Sequence, residues 1–337
     1  MKSTITIYWE ALNEIKGVTP LVFRRLLNCF EDPHYILYEV NEHELSEVLD
    51  GGKKPQKRKI VEGIREYRKN PREEFLDKRL SMAKSKGIRV VKIKNRDYPA
   101  NLREIPNAPP LLYVLGRIPQ TWRAVAVVGT RKPTDYGKKF SEGISREIAR
   151  RGWVIVSGLA RGIDTFAHEG ALESERVRPK PTVAVVANGL DKIYPPENDG
   201  LFREIATKGA VISEHPIGTS VSAANLVARN RITSGLSVAI IVVETGKRGG
   251  TTHTIHFADV QKRKIFFAKP MDVRVEQAEG ILFLRDRKVF HGNKTHKIST
   301  EVYETPVSKG LFGSYAGLFR EYADFVIAKC EDKGTNK

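Results

Sequence analysis

The chain has 337 residues, of which 40% are hydrophobic and 29% are charged, a balance that excludes a disordered polypeptide and predicts a folded protein of about two domains. Lysine and arginine total 57 against 40 aspartates and glutamates, which gives a formal net charge of +17. A field of this sign attracts polyanions, so we expect nucleic acid as a partner before an acidic membrane surface, with an uninvolved basic surface as the alternative.

Helical spacing of apolar residues predicts a small all-helical domain over residues 1–75. Within it, the segment Ile15–Pro20 places a glycine before a helix start, where Thr19 would cap the helix and Pro20 would be its first residue. This turn fits a helix-hairpin-helix or SAM-like domain, whose backbone N–H groups can hold a DNA phosphate, and it also fits an ordinary helix–helix connection. The basic run Lys53–Lys59 is either a nucleic-acid contact or a solvated face.

The segment 76–287 shows short apolar runs that alternate with single helical patterns. Because continuously apolar strands must be buried on both faces, this pattern predicts an α/β fold with a doubly wound, mainly parallel sheet of the extended Rossmann-like type. The predicted strands of the alternating region are Ala124–Val128, Val154–Val156, Thr182–Val186, Ala210–Ile212, Val238–Val243 and Lys264–Phe267.

The last segment, 288–337, is weakly patterned. We expect a C-terminal extension with one helix, Ala316–Ala328, and a mobile polar end, Glu331–Lys337. The two cysteines, Cys29 and Cys330, predict neither a disulfide framework nor a cysteine metal cluster. No apolar run reaches bilayer length and no signal-peptide core follows Met1, so the sequence predicts a cytoplasmic protein with no membrane partner.

Four predicted strand ends carry glycine together with cations, hydroxyls or amides: Gly129–Pro133, Ser157–Asp164, Asn188–Glu197 and Glu244–Thr252. In a parallel sheet, ligands bind outside the carboxyl ends of the strands, where helix N-termini favour anions. Arginine can hold two phosphate oxygens at once, and glycine lets the backbone approach a ligand closely. Ser157 and Gly158 are expected to expose backbone N–H groups. The sequence therefore predicts a phosphate site at this sheet edge.

Other kinds of site are less well supported. The first strand is not followed by a dinucleotide fingerprint or by a Walker loop. His168, His253 and His256 have no matching carboxylate or cysteine pattern, so we predict no metal and no cofactor. Asp164 is expected to cap the helix that follows it, and Glu244 to hydrogen-bond a ligand hydroxyl.

Five stretches resemble the DNA-processing protein A family, also called DprA or Smf. They are V-V-G-T-R-K-P from Val127, V-S-G-L-A-R-G-I-D-T-F-A-H from Val156, N-G-L-D-K-I-Y-P-P-E-N ending at Asn198, A-R-N-R-I-T-S-G-L-S ending at Ser237, and E-T-G-K-R-G-G-T from Glu244. The resemblance covers nearly all of residues 80–270. It implies a cytoplasmic, non-catalytic homodimer that binds and protects single-stranded DNA and helps to load a RecA-type recombinase during natural transformation.

The residues and the resemblance together predict one set of DNA phosphate ligands: Gly129, Thr130, Arg131, Lys132, Ser157, Gly158, Arg161, Asn225, Arg229, Asn230, Arg231, Lys247, Arg248, Gly249, Gly250 and Thr251. The chain departs from the family pattern at Leu226, where many relatives have an aromatic residue able to stack on a base. A C-terminal winged helix found in some relatives is not evident.

Two alternatives stay open. The Arg248–Thr252 loop resembles the P-G-G-x-G-T loop of lysine-decarboxylase-like phosphoribohydrolases, which implies a nucleotide sensor or hydrolase of the kind used in phage defence. The missing acidic residue after that loop counts against hydrolysis. The other alternative is a structural adaptor whose basic face docks partners.

Overall fold

The computed structural model describes residues 2–30, 32–119, 122–174, 182–270, 272–291, 294–305 and 315–332. The chain forms two compact units, Met1–Tyr98 with Ile105–Tyr113, and Pro99–Glu104 with Val114–Lys337. These units do not coincide with the predicted domain boundaries at 75/76 and 287/288, so the three-domain division stays a prediction. The predicted mobile end lies, from residue 333 onward, outside the described residues.

The smaller unit is mainly helical. Its elements are α1 (Lys2–Glu14), α2 (Pro20–Phe30), α3 (Pro33–Tyr38), α4 (Glu42–Val48), α5 (Lys54–Lys69), α6 (Glu73–Ser85) and β1 (Arg89–Lys92). The apolar residues at helical spacing form its core, where Leu12, Phe23 and Ile60 are fully buried. Helix α2 begins at Pro20, and the Thr19 hydroxyl accepts a hydrogen bond from the Val22 N–H at 3.4 Å, which confirms the predicted helix start.

The larger unit contains the α/β sheet. Its elements are α7 (Ala100–Arg103), β2 (Leu111–Gly116, which begins in the smaller unit), β3 (Ala124–Val128), α8 (Asp135–Arg150), β4 (Val154–Ser157), α9 (Ile163–Leu172), β5 (Thr182–Val185), α10 (Asp199–Lys208), β6 (Ala210–Ser213), α11 (Ala223–Gly235), β7 (Ala239–Val242), α12 (Gly250–Val260), β8 (Lys264–Phe267), α13 (Glu276–Arg285), β9 (Lys288–His291), β10 (Lys294–Lys297), β11 (Val302–Glu304) and α14 (Tyr315–Glu331).

The sheet of the larger unit confirms the predicted α/β fold. From β6 the strand order is β6-β5-β4-β3-β7-β8-β11, and each neighbouring pair is parallel. Strands β3 to β7 are buried along their whole length, as their continuously apolar sequences require. The chain moves outward from β3 through β4, β5 and β6, then returns to place β7 on the other side of β3. The strand order therefore reverses between β3 and β7, the position where such sheets bind ligands.

One face of the sheet shows how the core forms. Helix α8 buries Phe140, Ile144 and Ile148 against β3 and β4, and α14 adds Phe319 and Tyr322 to the same cluster. The predicted C-terminal helix is thus present. The sequence did not reveal that the extension also supplies β11, which pairs with β8 and lengthens the sheet, or the antiparallel pair of β9 and β10.

Candidate phosphate-binding cleft

A cleft of about 640 Å³ opens at the carboxyl ends of β3 and β7, where the strand order reverses. The turns after β3, β4 and β7 line it, together with one side of α11 and the N-terminal half of α12. The structure brings most of the predicted residues into this lining: Gly129, Thr130, Arg131, Lys132, Gly158, Arg229, Asn230, Arg248, Gly249, Gly250 and Thr251. Residues from four separate parts of the sequence therefore share one concave surface.

The turn after β3 is held in place on both sides. The Thr130 N–H donates to the Glu244 carbonyl at 2.7 Å, and the Ile163 N–H donates to the Thr130 carbonyl at 3.1 Å. A side chain at Gly129 would place its Cβ 2.5 Å from Ile163, so only glycine lets the three segments pack this closely. Arg131 follows directly and is exposed to solvent. In the part of the chain that the structure describes, no carboxylate pairs with the Arg131 side chain.

The start of α12 forms the opposite side of the cleft. Gly249 and Gly250 are exposed there, and the Thr251 hydroxyl donates to the Gly129 carbonyl at 2.9 Å, which ties the helix start to the turn after β3. The Asn230 side-chain amide donates to the Gly250 carbonyl at 3.2 Å. The first N–H groups of a helix lack intrahelical acceptors and carry a partial positive charge. This end of α12, with the exposed Arg248 before it, therefore favours an anion in the cleft.

Arg229 supplies a buried positive charge at the floor of the cleft. Its side chain is only 5% exposed, and its Nη1 donates to the Val185 carbonyl at 2.8 Å. Burial lowers the pKa of the guanidinium and the nearby Asp164 carboxylate raises it, with burial the stronger effect. The guanidinium occupies the space beside Gly158, where an added Cβ would lie 1.6 Å from Nη1. Gly158 therefore serves the site by leaving room for Arg229.

The turn after β4 differs from the sequence prediction. Ser157 is fully buried and its hydroxyl donates to the Val127 carbonyl at 2.7 Å, so it does not face the cleft. The Asp164 carboxylate accepts hydrogen bonds from the N–H groups of Gly158 at 3.1 Å and Ala160 at 3.3 Å. The expected exposed N–H groups are thus absent at Gly158. The expectation that Asp164 caps α9 is also wrong, because its carboxylate closes the preceding turn and Gly162 is the N-cap residue.

The remaining predicted residues lie outside the cleft lining. Arg231 is 6% exposed and forms a two-pronged ion pair with the Glu214 carboxylate, with both N–O distances 2.6 Å. Burial raises the pKa of Glu214, but the hydrogen bonds and charge of Arg231 outweigh it, and the pKa is lowered. Arg231 is therefore committed to a structural ion pair.

Three further residues complete this group. Arg161 is exposed and pairs with Glu197 beside a small depression that adjoins Arg131. The Asn225 N–H donates to the Ser222 hydroxyl at 3.1 Å and belongs to the cap of α11. The Lys247 ammonium lies 4.9 Å from the centre of the Phe283 ring, a cation–π contact.

Glu244 also has a structural role instead of the predicted contact with a ligand hydroxyl. Its carboxylate accepts hydrogen bonds from the Thr134 N–H at 2.9 Å and the Thr134 hydroxyl at 2.5 Å. Thr134 is the N-cap residue of α8, and a Cβ at Gly137 would lie 2.3 Å from the Glu244 carboxylate. The negative charge of Glu244 thus stabilises the start of α8.

His168 belongs to the core of the larger unit. His168 is fully buried, with Nδ1 2.7 Å from the Thr182 hydroxyl, and burial lowers its pKa to about 3, so the ring is neutral. Among the residues that the structure describes, no group of three histidines, cysteines or carboxylates is placed to hold a metal ion. None of the described helices has the length and apolar character needed to cross a bilayer.

Some cleft residues were not among the predicted phosphate ligands. They are Val128, Ala160, Asp164, Ala223, Leu226, Val227, Thr233, Thr245, Gly246, His253, Thr254 and Glu276. Glu276 places an exposed carboxylate in the lining from the start of α13. The sequence around Glu276 contains no pattern that predicts a place in the cleft, because this residue reaches the cleft from an element that follows β8.

A family model, a curated relative and a solved structure all match this chain. The family model for DNA recombination-mediator protein A matches residues 89–300. The protein Smf of Synechocystis is 37% identical over 290 residues, which are 84% of this chain and 69% of that protein. The crystal structure of DNA processing protein A from Streptococcus pneumoniae superposes with a TM-score of 0.70 at 27% identity, covering 89% of this chain and 95% of that one.

A second solved structure supports the fold alone. This structure, of DNA processing protein A from Helicobacter pylori, was described for the single-stranded DNA binding mode of that protein. It superposes with a TM-score of 0.56 at 24% identity and covers 72% of this chain and 96% of that one. Because the family model covers well over half of the sequence and the matched regions include the cleft, the chain belongs to the DNA recombination-mediator protein A family.

Proposed function

We propose that this chain binds single-stranded DNA, with the phosphate backbone lying in the cleft, and that it acts without catalysing a reaction. One observation carries the proposal: Arg131, Arg229, Arg248 and the start of α12 converge on one concave surface at the point where the strand order reverses. Membership of a family of recombination mediators supports it, as does the single-stranded DNA binding named for the H. pylori relative.

The charge and the shape of the cleft favour a flexible single strand. Arg131 and Arg248 are exposed and able to follow phosphates, whereas Arg229 is buried at the floor. Leu226 and Val227 offer apolar surface in the same lining, against which unstacked bases can pack. A duplex keeps its bases stacked inside and gains nothing from this apolar surface.

The wider role follows from the family and forms part of the proposal. We infer that the chain protects single-stranded DNA, assembles as a homodimer in the cytoplasm, and helps to load a RecA-type recombinase in DNA uptake and recombination. Such a role first requires contacts to the DNA backbone that are independent of base sequence, and the cations that line the cleft support this part of the proposal.

The Arg131→Ala variant tests the cleft. We expect its affinity for fluorescein-labelled oligo-dT to fall by about tenfold or more, since a hydrogen bond to a charged group contributes roughly 1.5–3 kcal/mol. The slope of log affinity against log salt should fall by about 0.7, the value for one lost phosphate contact on a single strand. Fluorescence anisotropy at two or more salt concentrations, with a matched duplex alongside, measures both quantities.

Arg203→Ala is the matched control, because it removes the same charge from an exposed arginine of α10 that pairs with Asp199. It should leave oligo-dT affinity unchanged. Equal losses in the two variants would show that only net charge matters and would remove the cleft from the proposal.

The exposed Glu276 carboxylate favours a second candidate, a nucleotide sensor or a phosphoribohydrolase-like enzyme acting in phage defence. The cleft volume of about 640 Å³ lies in the range typical of small-ligand sites. Titration with AMP, followed by chromatography for released adenine, tests this candidate. Saturation by AMP without any binding of oligo-dT would replace the first proposal with the second.

A further inference from the structure

The turn between α1 and α2 lies against the first turns of α5 in the smaller unit. The Gln56 side-chain amide donates to the Gly17 carbonyl at 2.9 Å, and a Cβ built on Gly17 would lie 3.5 Å from that of Lys59. Gly17 has φ +97°, a conformation that favours glycine. The basic residues of this part of α5 and the exposed Lys16 are therefore brought together by the fold, although they lie about forty residues apart in sequence.

Three lysines surround this turn. Lys59 lies three residues after Gln56 on α5, and Lys53 is the N-cap residue of that helix, three residues before Gln56. Lys16 comes directly before Gly17, and all three side chains are exposed. We call Lys16, Lys53 and Lys59 the hairpin patch.

The positive charge of the hairpin patch is not neutralised locally. The neighbouring carboxylates form ion pairs with other cations: Asp50 pairs with Lys57 at 2.5 Å, and Glu62 pairs with Arg58 at 2.7 Å. For the three patch lysines, the described residues offer no carboxylate within ion-pair distance. Lysines clustered in this way repel one another, and a polyanion relieves that repulsion.

We propose that the hairpin patch binds the phosphate backbone of duplex DNA, on a surface formed by the smaller unit alone and separate from the cleft. Lys53 and Lys59 lie roughly 9 Å apart along the helix axis at 1.5 Å per residue. One DNA strand presents two or three phosphates over that distance, at about 3.4 Å of axial rise per charge. The spacing suits a regular backbone.

The composition of the hairpin patch distinguishes a duplex from other polyanions. The segments 15–21 and 53–60 contain no aromatic residue, so they have nothing on which the bases of a single strand can stack. Leu21 is 58% exposed at the turn, and one exposed leucine buries too little apolar area to anchor the unit in a membrane. A duplex can bind through its phosphates alone, because its bases are already stacked and need no aromatic side chain.

The test compares the triple variant Lys16→Gln, Lys53→Gln, Lys59→Gln with the unaltered full chain. Anisotropy measures binding to a labelled duplex of random sequence and to oligo-dT over a range of salt concentrations. We expect duplex affinity to fall about tenfold or more at low salt, and the slope of log affinity against log salt to fall by roughly 3, about one for each lost phosphate contact. Oligo-dT affinity should not change.

The control is the triple variant Lys69→Gln, Lys84→Gln, Lys86→Gln, which removes the same charge from three exposed lysines elsewhere in the smaller unit. It should retain duplex binding. The proposal is overturned if the unaltered chain does not bind duplex, if both triple variants lose it equally, or if vesicles containing phosphatidylserine bind the unaltered chain more tightly than duplex does. Arg131→Ala separates the two proposals, because it should weaken oligo-dT binding and leave the hairpin patch intact.

Discussion

Two arginines on different sides of helix α11 have different hydrogen-bond partners. Arg229 and Arg231 lie two residues apart, both are almost fully buried, and both were predicted to hold phosphate. Arg231 meets the Glu214 carboxylate with two hydrogen bonds, whereas Arg229 donates to the neutral Val185 carbonyl and lines the cleft. The Arg229 guanidinium, near the Asp164 carboxylate, lines the cleft, whereas the Arg231 guanidinium is held by Glu214 outside it.

This difference shows what a run such as Ala228–Ser237 can and cannot reveal. Successive residues on a helix point about 100° apart, so Arg229 and Arg231 must face different surroundings. Which one meets a carboxylate depends on β6 and the turn that follows it, where Glu214 lies. The partner, and not the arginine itself, decides whether the cation is structural or free to bind.

The largest effect is expected for Arg231→Leu. Removing one member of a buried ion pair leaves Glu214 uncompensated, which typically costs about 3–5 kcal/mol of unfolding free energy. Urea unfolding followed by circular dichroism measures the loss, while the oligo-dT affinity of the folded fraction should stay the same.

The double variant Arg231→Leu, Glu214→Leu sharpens this prediction, because replacing both members of a buried pair with apolar residues is often nearly neutral. Recovery of most of the lost stability would confirm the structural role. A large loss of oligo-dT binding in the folded double variant would instead indicate that Arg231 contacts DNA.

A smaller effect is expected for Gly158→Ala, which tests the other side of α11. The added methyl group would collide with the Arg229 guanidinium, and such overpacking typically costs about 1–3 kcal/mol of stability. Because the guanidinium must move from the floor of the cleft, oligo-dT affinity should change as well. Thermal unfolding and anisotropy together report both changes.

Gly200→Ala is the matched control for this substitution. Gly200 lies in the first turn of α10, and an added Cβ there meets no atom within 4 Å, so the change should leave stability and oligo-dT affinity essentially unaltered. If Gly158→Ala behaves like this control in both measurements, Gly158 does not position Arg229.

The same contrast explains how much the sequence could predict. Continuous apolar runs such as Ala124–Val128 and Ala239–Val242 form strands where the sequence predicted them, because burial on both faces permits no other pattern. The glycines and cations after those strands also converge as expected, since parallel strands direct their carboxyl ends to one edge. Local pattern and fold-level geometry were sufficient for these features.

Features that depend on a distant partner were not predictable in the same way. Glu244 was expected to face a ligand, but it caps α8 through Thr134, a residue 110 positions away in sequence. Strand β11 has three residues, too few for any alternation to be recognised, and it exists because the edge of β8 is available for pairing. Glu276 reaches the cleft only through the fold.

The smallest expected change in binding, and the only gain in affinity, concerns Leu226 on the cleft side of α11. The family resemblance implies an aromatic residue at this position in many relatives, and Leu226 lies in the cleft lining together with Arg229. An aromatic ring stacks on a base whatever its sequence, a contact that contributes about 1–3 kcal/mol per base. In the proposed binding mode leucine packs against part of a base, so Leu226→Phe should tighten oligo-dT binding by only about 1 kcal/mol, roughly fivefold.

Leu226→Met separates stacking from a simple increase in apolar contact, since methionine fills similar space without a ring. We expect its affinity for oligo-dT to match that of the unaltered chain. Neither substitution changes a charge, so the slope of log affinity against log salt should stay constant while the affinity itself rises in Leu226→Phe. Equal affinities of the Phe and Met variants for oligo-dT would show that bases do not reach this side of α11. The bound strand would then contact the cleft only through its phosphates, at Arg131 and Arg248.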